Sequence, residues 1–376
     1  MTEDHRTPGQ LIAALLAEKN WTNRILAVVL GVGDSVVSRI VRDKTPIDAK
    51  TALALEEVFD IPAEQFLSLQ SSYDLALARI EQRPDPGRAA RAAIYGSLPI
   101  AEMKKRGWID PNDLRDAQDV EAELCRFFKV NRIEDAVAFA YAAKKTEVGG
   151  APTPSQMAWF YRVKSIAAEM LVAPYSAAKG KAAIEKIRPL RSHPEHMSRV
   201  PRILAEAGIR FVVVESLPKA KIDGVCFWLD DRSPVIGMTL RFDRIDNFLF
   251  VLRHELEHVI RGDGRQQAKL DLDLHERRDG DAIEEEERIA DAAAQEFCVP
   301  DKMMRAFIAR KAPYFSERDL LAFSKMVKVH PGVVAGQLQR RTGDYRRFRG
   351  HLAKVRDILV PCAEVDGWGD IHPIEP

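Results

Sequence analysis

The string His254-Glu255-Leu256-Glu257-His258 constrains this chain more than any other part of it. It lies within DNFLFVLRHELEHVI, where apolar residues recur at helical spacing, so one helix is expected from about Asp246 to Ile260. Histidines four residues apart share a helix face, one turn apart. Two neutral imidazoles held that way suit a borderline-soft divalent ion such as Zn2+. Glu255 is expected not to ligate but to act as a general base, taking a proton from water and passing it to a leaving amine. The bland alternative is a solvated face on which the histidines pair with Glu255 or Glu257.

A catalytic zinc needs a third protein ligand and one open position. The stretch EEEERIADAAAQEFCVP, Glu284 to Pro300, offers Glu287 and Asp291 four apart on a helix expected over 281–298. Glu287 is the expected third ligand. Asp291 is expected behind the site, accepting a hydrogen bond from a ligating histidine. Glu284, Glu285 and Glu286 read as a solvated helix start favoured by the helix dipole. His275 is an alternative ligand, but KLDLDLHERRDGD around it reads as a polar loop. His330, just before Pro331 and Gly332, reads either as a transition-state stabiliser or as a capping or packing residue.

Ahead of the site, IRFVVVESL (Ile209 to Leu217), VCFWLD (Val225 to Asp230) and SPVIGMTL (Ser233 to Leu240) read as strands, the last two as a hairpin-like pair. Further helices are expected over 301–311 and after Pro331. The fold class expected is mainly α, with an α+β C-terminal part holding a small sheet. Four regions are expected: 1–83, a helical bundle; 84–188, a helical linker or middle domain of unassigned role; 189–350, the domain with the site; and 351–376, a peripheral tail rich in Gly and Pro. RPDPG, Arg83 to Gly87, marks the first boundary.

Residues 8–80 divide into short helices by their caps. Leu11, Leu15 and Leu16 face inward on a first helix after Pro8. Thr22 caps a second that stops at Gly31, a third runs from about Asp34 to Arg42, and Asp48 caps a fourth. Composition bounds the function classes. The 376 residues carry 56 basic and 56 acidic side chains, a net charge of zero that excludes wholesale coating of nucleic acid but not a small local reader. The four cysteines form no CxxC pair, which argues against a disulfide framework or a cysteine metal knuckle. No apolar run has the length of a membrane span, and the polar start lacks a signal-peptide pattern, so a cytoplasmic location is expected.

Residues from roughly 190 to 345 resemble the ImmA/IrrE family of metallopeptidase-like domains. The matching pieces are KIDG (Lys221 to Gly224), RFDRIDNFLFVLRHELEHVI, ERIADAAAQEFCVP and HPGVVAGQLQRR (His330 to Arg341). The resemblance implies a zincin-like domain with His254, His258 and Glu287 as zinc ligands and Glu255 as general base. Ala293 stands where that family often has an aromatic residue. Residues 8–80 resemble the Cro/C1-type helix-turn-helix of HigA-like antitoxins. That resemblance implies a third helix in the major groove of operator DNA, with Gly33, Asp34, Ser35, Val36 and Arg39 near the bases and Thr22 and Asn23 near phosphate. Asn23 replaces the more usual Gln. The charge is less generous: residues 1–83 hold nine Lys or Arg against twelve Asp or Glu, a net charge of −3.

These readings lead to a regulator, expected as a homodimer, with a zinc-dependent endopeptidase acting on a protein such as a repressor or antitoxin. The alternative is a non-enzymatic antitoxin or regulator of a toxin–antitoxin pair, whose metal domain is a sensor or structural core.

Overall fold

The computed structural model describes residues 6–81, 92, 95–96, 98–132, 152–266, 268–272, 274 and 284–369. The expected linker at Arg83 to Gly87 and the alternative ligand His275 lie outside the described residues. The chain divides into two units, 1–86 and 87–376.

Unit 1 is a five-helix bundle: α1 (Pro8–Glu18), α2 (Asn23–Leu30), α3 (Asp34–Val41), α4 (Ala49–Phe59) and α5 (Ala63–Glu81). Thr22 and Asp48 cap α2 and α4 as their sequence positions suggest, accepting from the Ile25 and Thr51 amides. Gly31 ends α2 at φ 66°, the left-handed conformation that a tight exit from a helix requires. Leu11, Ile12, Leu16, Leu26, Val37, Ile40 and Phe66 form the core, and Leu15 packs partly buried against it.

Unit 2 opens with α6 (Ile100–Lys105), α7 (Ala117–Phe128), α8 (Pro154–Glu169), α9 (Ala177–Ile187) and α10 (Val200–Ala207). Strands β1 (Arg210–Val214), β2 (Ile222–Trp228) and β3 (Pro234–Met238) follow, then the long helix α11 (Ile245–Arg261). After β4 (Lys269–Leu272) come α12 (Glu285–Cys298), α13 (Asp301–Lys311), α14 (Glu317–Val327), α15 (Pro331–Thr342), α16 (Arg356–Leu359) and β5 (Glu364–Asp366). The strands form one sheet in the order β4-β2-β3-β1-β5. β2 is antiparallel to both β3 and β4, whereas β1 is parallel to β3 and β5.

Strand residues alternate between two cores, as a two-residue period demands. Phe211, Val213, Cys226, Ile236 and Met238 face the layer containing α11. Val212, Val214, Val225, Phe227 and Val235 face Trp159, Val163 and Ile166 of α8 and Trp108 near α6. The described helices α6, α7 and α8 therefore supply a layer of the fold, because β1, β2 and β3 are apolar on both faces and each face needs a cover. Polar bonds key that layer in place. Trp159 Nε1 donates to the Val214 carbonyl at 3.0 Å and Gln156 Nε2 to that of Ala220 at 2.8 Å.

The mainly α class with a small C-terminal sheet holds. Two stretches differ from expectation. Residues 269–272, read as polar loop, are edge strand β4. The expected peripheral tail contains β5, whose Asp366 is buried and takes bonds from Arg162 Nε at 2.7 Å and Trp108 Nε1 at 2.8 Å. A three-residue strand with one apolar residue carries too little pattern to be read beforehand. No described helix is long and apolar enough to cross a membrane.

Candidate metal centre

Helix α11 lies against β2 and α12. Nearly every residue on its inner side is apolar, so burial of Leu249, Leu252, Leu256 and Val259 fixes which way His254, Glu255 and His258 point. All three are fully buried. The two Nε2 atoms lie 3.1 Å apart. Glu287 on α12 brings Oε2 to 3.3 Å from Nε2 of His254 and Oε1 to 3.4 Å from Nε2 of His258. Asp271 on β4 brings Oδ2 to 3.4 Å from the same His254 nitrogen. Ligand atoms of these four residues all fall within 4.8 Å of one another.

Those separations test whether an ion fits. A tetrahedral site with ligand bonds of about 2.0–2.1 Å has ligand–ligand edges of roughly 3.3 Å. The measured contacts cluster around that edge, and two imidazoles with two carboxylates suit zinc or a similar divalent ion.

The other ring nitrogens are held from behind. Asp291 Oδ1 lies 3.0 Å from His254 Nδ1. Asp263 Oδ2 hydrogen-bonds His258 Nδ1 at 3.0 Å. Such carboxylates fix the ring orientation and leave Nε2 for the metal. Asp263 was not foreseen. Its signal is Gly262 just before it, which ends α11 at φ 82° and turns the chain back toward His258.

Glu255 stands apart from the four. Among the described residues no hydrogen-bond donor reaches either of its buried carboxylate oxygens. Burial pushes its carboxyl well above the ordinary range, and the Asp271 charge adds to that. For His254, burial opposes the proton, but the Asp271 charge and contacts with Asp271, Asp291 and Glu287 hold the imidazole well above its usual value.

Space for Glu255 comes from Gly224 on β2. A Cβ there would lie 2.1 Å from Glu255 Oε1 and 3.0 Å from Val251 Cγ1. The glycine of KIDG is therefore a close-approach residue.

His330 sits elsewhere. It is the N-cap of α15, its Nδ1 accepting from the Gly332 amide at 3.0 Å. Burial lowers its pKa, and the charged groups acting on it are Glu195, His351 and His193. It is not among the four clustered residues, and its Nδ1 holds the helix start, as the capping alternative expects.

In unit 1, Gly33, Asp34, Ser35, Val36 and Arg39 lie along the exposed side of α3, opposite the buried Val37 and Ile40. Thr22 is exposed and Asn23 half-buried at the start of α2. Arg39 Nε bonds Thr45 Oγ1 at 3.1 Å.

Fold and site together define a metallopeptidase-like domain, an α/β layer carrying HExxH on its central helix, in a chain that opens with a helix-turn-helix unit. Residues 205–339 match the family model of the IrrE N-terminal-like domain, and residues 12–66 match that of the helix-turn-helix. The chain thus combines a Cro/C1-type helix-turn-helix domain with an ImmA/IrrE-type domain. No curated protein matches it.

Proposed function

We propose that the C-terminal domain is a zinc-dependent endopeptidase acting on a regulatory protein such as a repressor or antitoxin, and that the N-terminal domain docks the chain on operator DNA as a homodimer. The observation that carries the peptidase reading is Glu255: a fully buried carboxyl that no donor among the described residues reaches, beside two histidines and a glutamate at ligand spacing. A purely structural site has no use for such a base.

His254, His258 and Glu287 would hold the metal, with Asp291 and Asp263 fixing the imidazoles. A bound zinc ion supplies Lewis acidity toward a peptide carbonyl and makes a neighbouring water more acidic. Glu255 takes the proton of the attacking water and returns it to the departing amine.

One observation favours the second reading, a regulator whose metal domain is a sensor or structural core. Asp271 joins the other three at ligand spacing, and structural zinc sites are closed by four protein ligands.

The test measures bound metal and cleavage of a fluorogenic peptide library by wild type and Glu255→Gln. The expected result is equal zinc in both with cleavage by wild type alone. Equal zinc with no cleavage by either favours the structural reading, and no zinc in either removes the site assignment. For the helix-turn-helix, operator binding should weaken with added salt and with Arg39→Ala. Affinity unmoved by both would refute the docking mode.

A further inference from the structure

Asp271 is neither the base nor one of the three ligands assigned above, yet it is buried at the centre of the site. It arrives there on β4, the edge strand beside β2. The register sets Gly224 opposite Asp271 and Cys226 opposite Lys269, with Val225 opposite Leu270 between them. Gly224 and Cys226 face α11, so Asp271 and Lys269 are on the site side. Leu270 and Leu272 pack on the opposite core. The missing side chain at Gly224 thus leaves room for two carboxylates, Glu255 from the helix and Asp271 from across the strand.

Both ends of β4 are fastened. Lys269 Nζ pairs with Glu284 at 2.9 Å and Glu286 at 3.1 Å, at the start of the helix that carries Glu287. Just beyond β4, the Leu274 amide donates to the buried Asp223 carboxylate at 2.7 Å.

An extended peptide binds a sheet by adding to its edge through main-chain hydrogen bonds. The strand that lines this site is β2, and β4 already holds its free edge.

We propose that Asp271 is the fourth protein ligand of the metal, and that β4 is a strap seated where a substrate strand would pair with β2. The proposal rests on the metallopeptidase reading. It reconciles the base at Glu255 with the closed set of four: the strapped site is complete and latent, and peptide enters when β4 leaves. Occupancy by the strap lowers the apparent affinity of any competing ligand by the fraction of time the site is open. Lys269 sets that fraction without touching the metal position.

Full-length protein loaded with Co2+ tests this, with acetohydroxamate as the probe. Visible absorption reports the coordination of cobalt, and circular dichroism confirms that each variant is folded. Asp271→Ala should change the cobalt spectrum and bind acetohydroxamate at least about tenfold more tightly than wild type. Lys269→Ala keeps all four ligands, so its spectrum should match wild type while its hydroxamate affinity rises. Hydrogen exchange across 269–272 should quicken in both. If Asp271→Ala fails to fold, Asp271→Asn and Lys269→Ala decide the matter by the same readouts. Cobalt held by wild type and variants with one spectrum and one hydroxamate affinity would overturn both the fourth ligand and the strap, and leave the metal reading standing. Cobalt held by none of the folded proteins would overturn the metal reading beneath it.

Discussion

On the peptidase reading proposed above, replacing Gly224 by alanine should lower activity without emptying the site of metal. The new Cβ would stand 2.1 Å from Glu255 Oε1, 2.9 Å from its Cδ and 3.0 Å from Val251 Cγ1. An ordinary contact is about 3.5 Å, so the carboxylate must retreat by roughly 1.4 Å. Misplacing a catalytic group by that distance costs about a hundredfold in rate. Crowding a packed interior costs about 1–3 kcal/mol, or several degrees of Tm in a domain of this size. Gly237 on β3 supplies the comparison. A Cβ there would meet Val163 Cγ1 at 2.6 Å, on the far face of the sheet from Glu255. Gly237→Ala should therefore lower Tm similarly and leave kcat nearly unchanged. Both variants should still hold zinc in a chelator titration, because neither change removes a ligand. Thermal melts, chelator titration and peptide cleavage separate these effects. Equal losses of kcat in the two variants, or none in Gly224→Ala, would refute the claim that this glycine makes room for the base.

Asp263→Asn and Asp291→Asn each remove a carboxylate from the back of a ligand imidazole, so zinc affinity in a chelator competition should fall about 10–100-fold. Unchanged affinity would mean the rings are oriented by packing alone. Arg162→Met strands the buried Asp366, leaving Trp108 Nε1 as a remaining donor; breaking a buried pair costs about 3–5 kcal/mol, measurable by urea unfolding. A loss under about 1 kcal/mol would show that β5 is not anchored there. Asp319 is held down to about 2 by Lys311 and then Ser316, at the start of α14. An unfolded aspartate titrates near 3.9, so this contribution is complete above about pH 4 and fades as pH falls through 2. The Tm deficit of Asp319→Asn should therefore shrink between pH 6 and pH 2, and a deficit independent of pH would assign it to the cap's shape instead of its charge.

Much of the molecule was legible because its signals are local. Thr22, Gly31 and Asp48 punctuate helices through their own backbone geometry, and each does so in the structure. The spacing of His254 and His258 fixes one face of one helix, and the spacing of Glu287 and Asp291 fixes one face of another. Only packing was needed to bring those faces together. The role of 84–188 was not legible, since its residues earn their meaning from a partner surface far along the chain. Trp159 and Gln156 bond to carbonyls at Val214 and Ala220, and Arg162 finds Asp366 some two hundred positions away. No local pattern announces such pairings.

The segment KLDLDL is the instructive failure, because its signal was present and was outweighed. Leu270 and Leu272 alternate with Lys269 and Asp271, the two-residue period of a strand. Charged residues usually turn the other face of such a strand toward water, and three of them with their charged neighbours read as loop. In the structure that face looks inward: Asp271 is buried against His254, and Lys269 spans to Glu284 and Glu286. An aspartate pointing into a protein is costly unless something positive waits for it. Here two imidazoles and the place for a cation wait on the facing helix. The rule that misled the reading of β4 is thus broken at the position where the strand meets the site, which is where a departure from local consistency most often carries function.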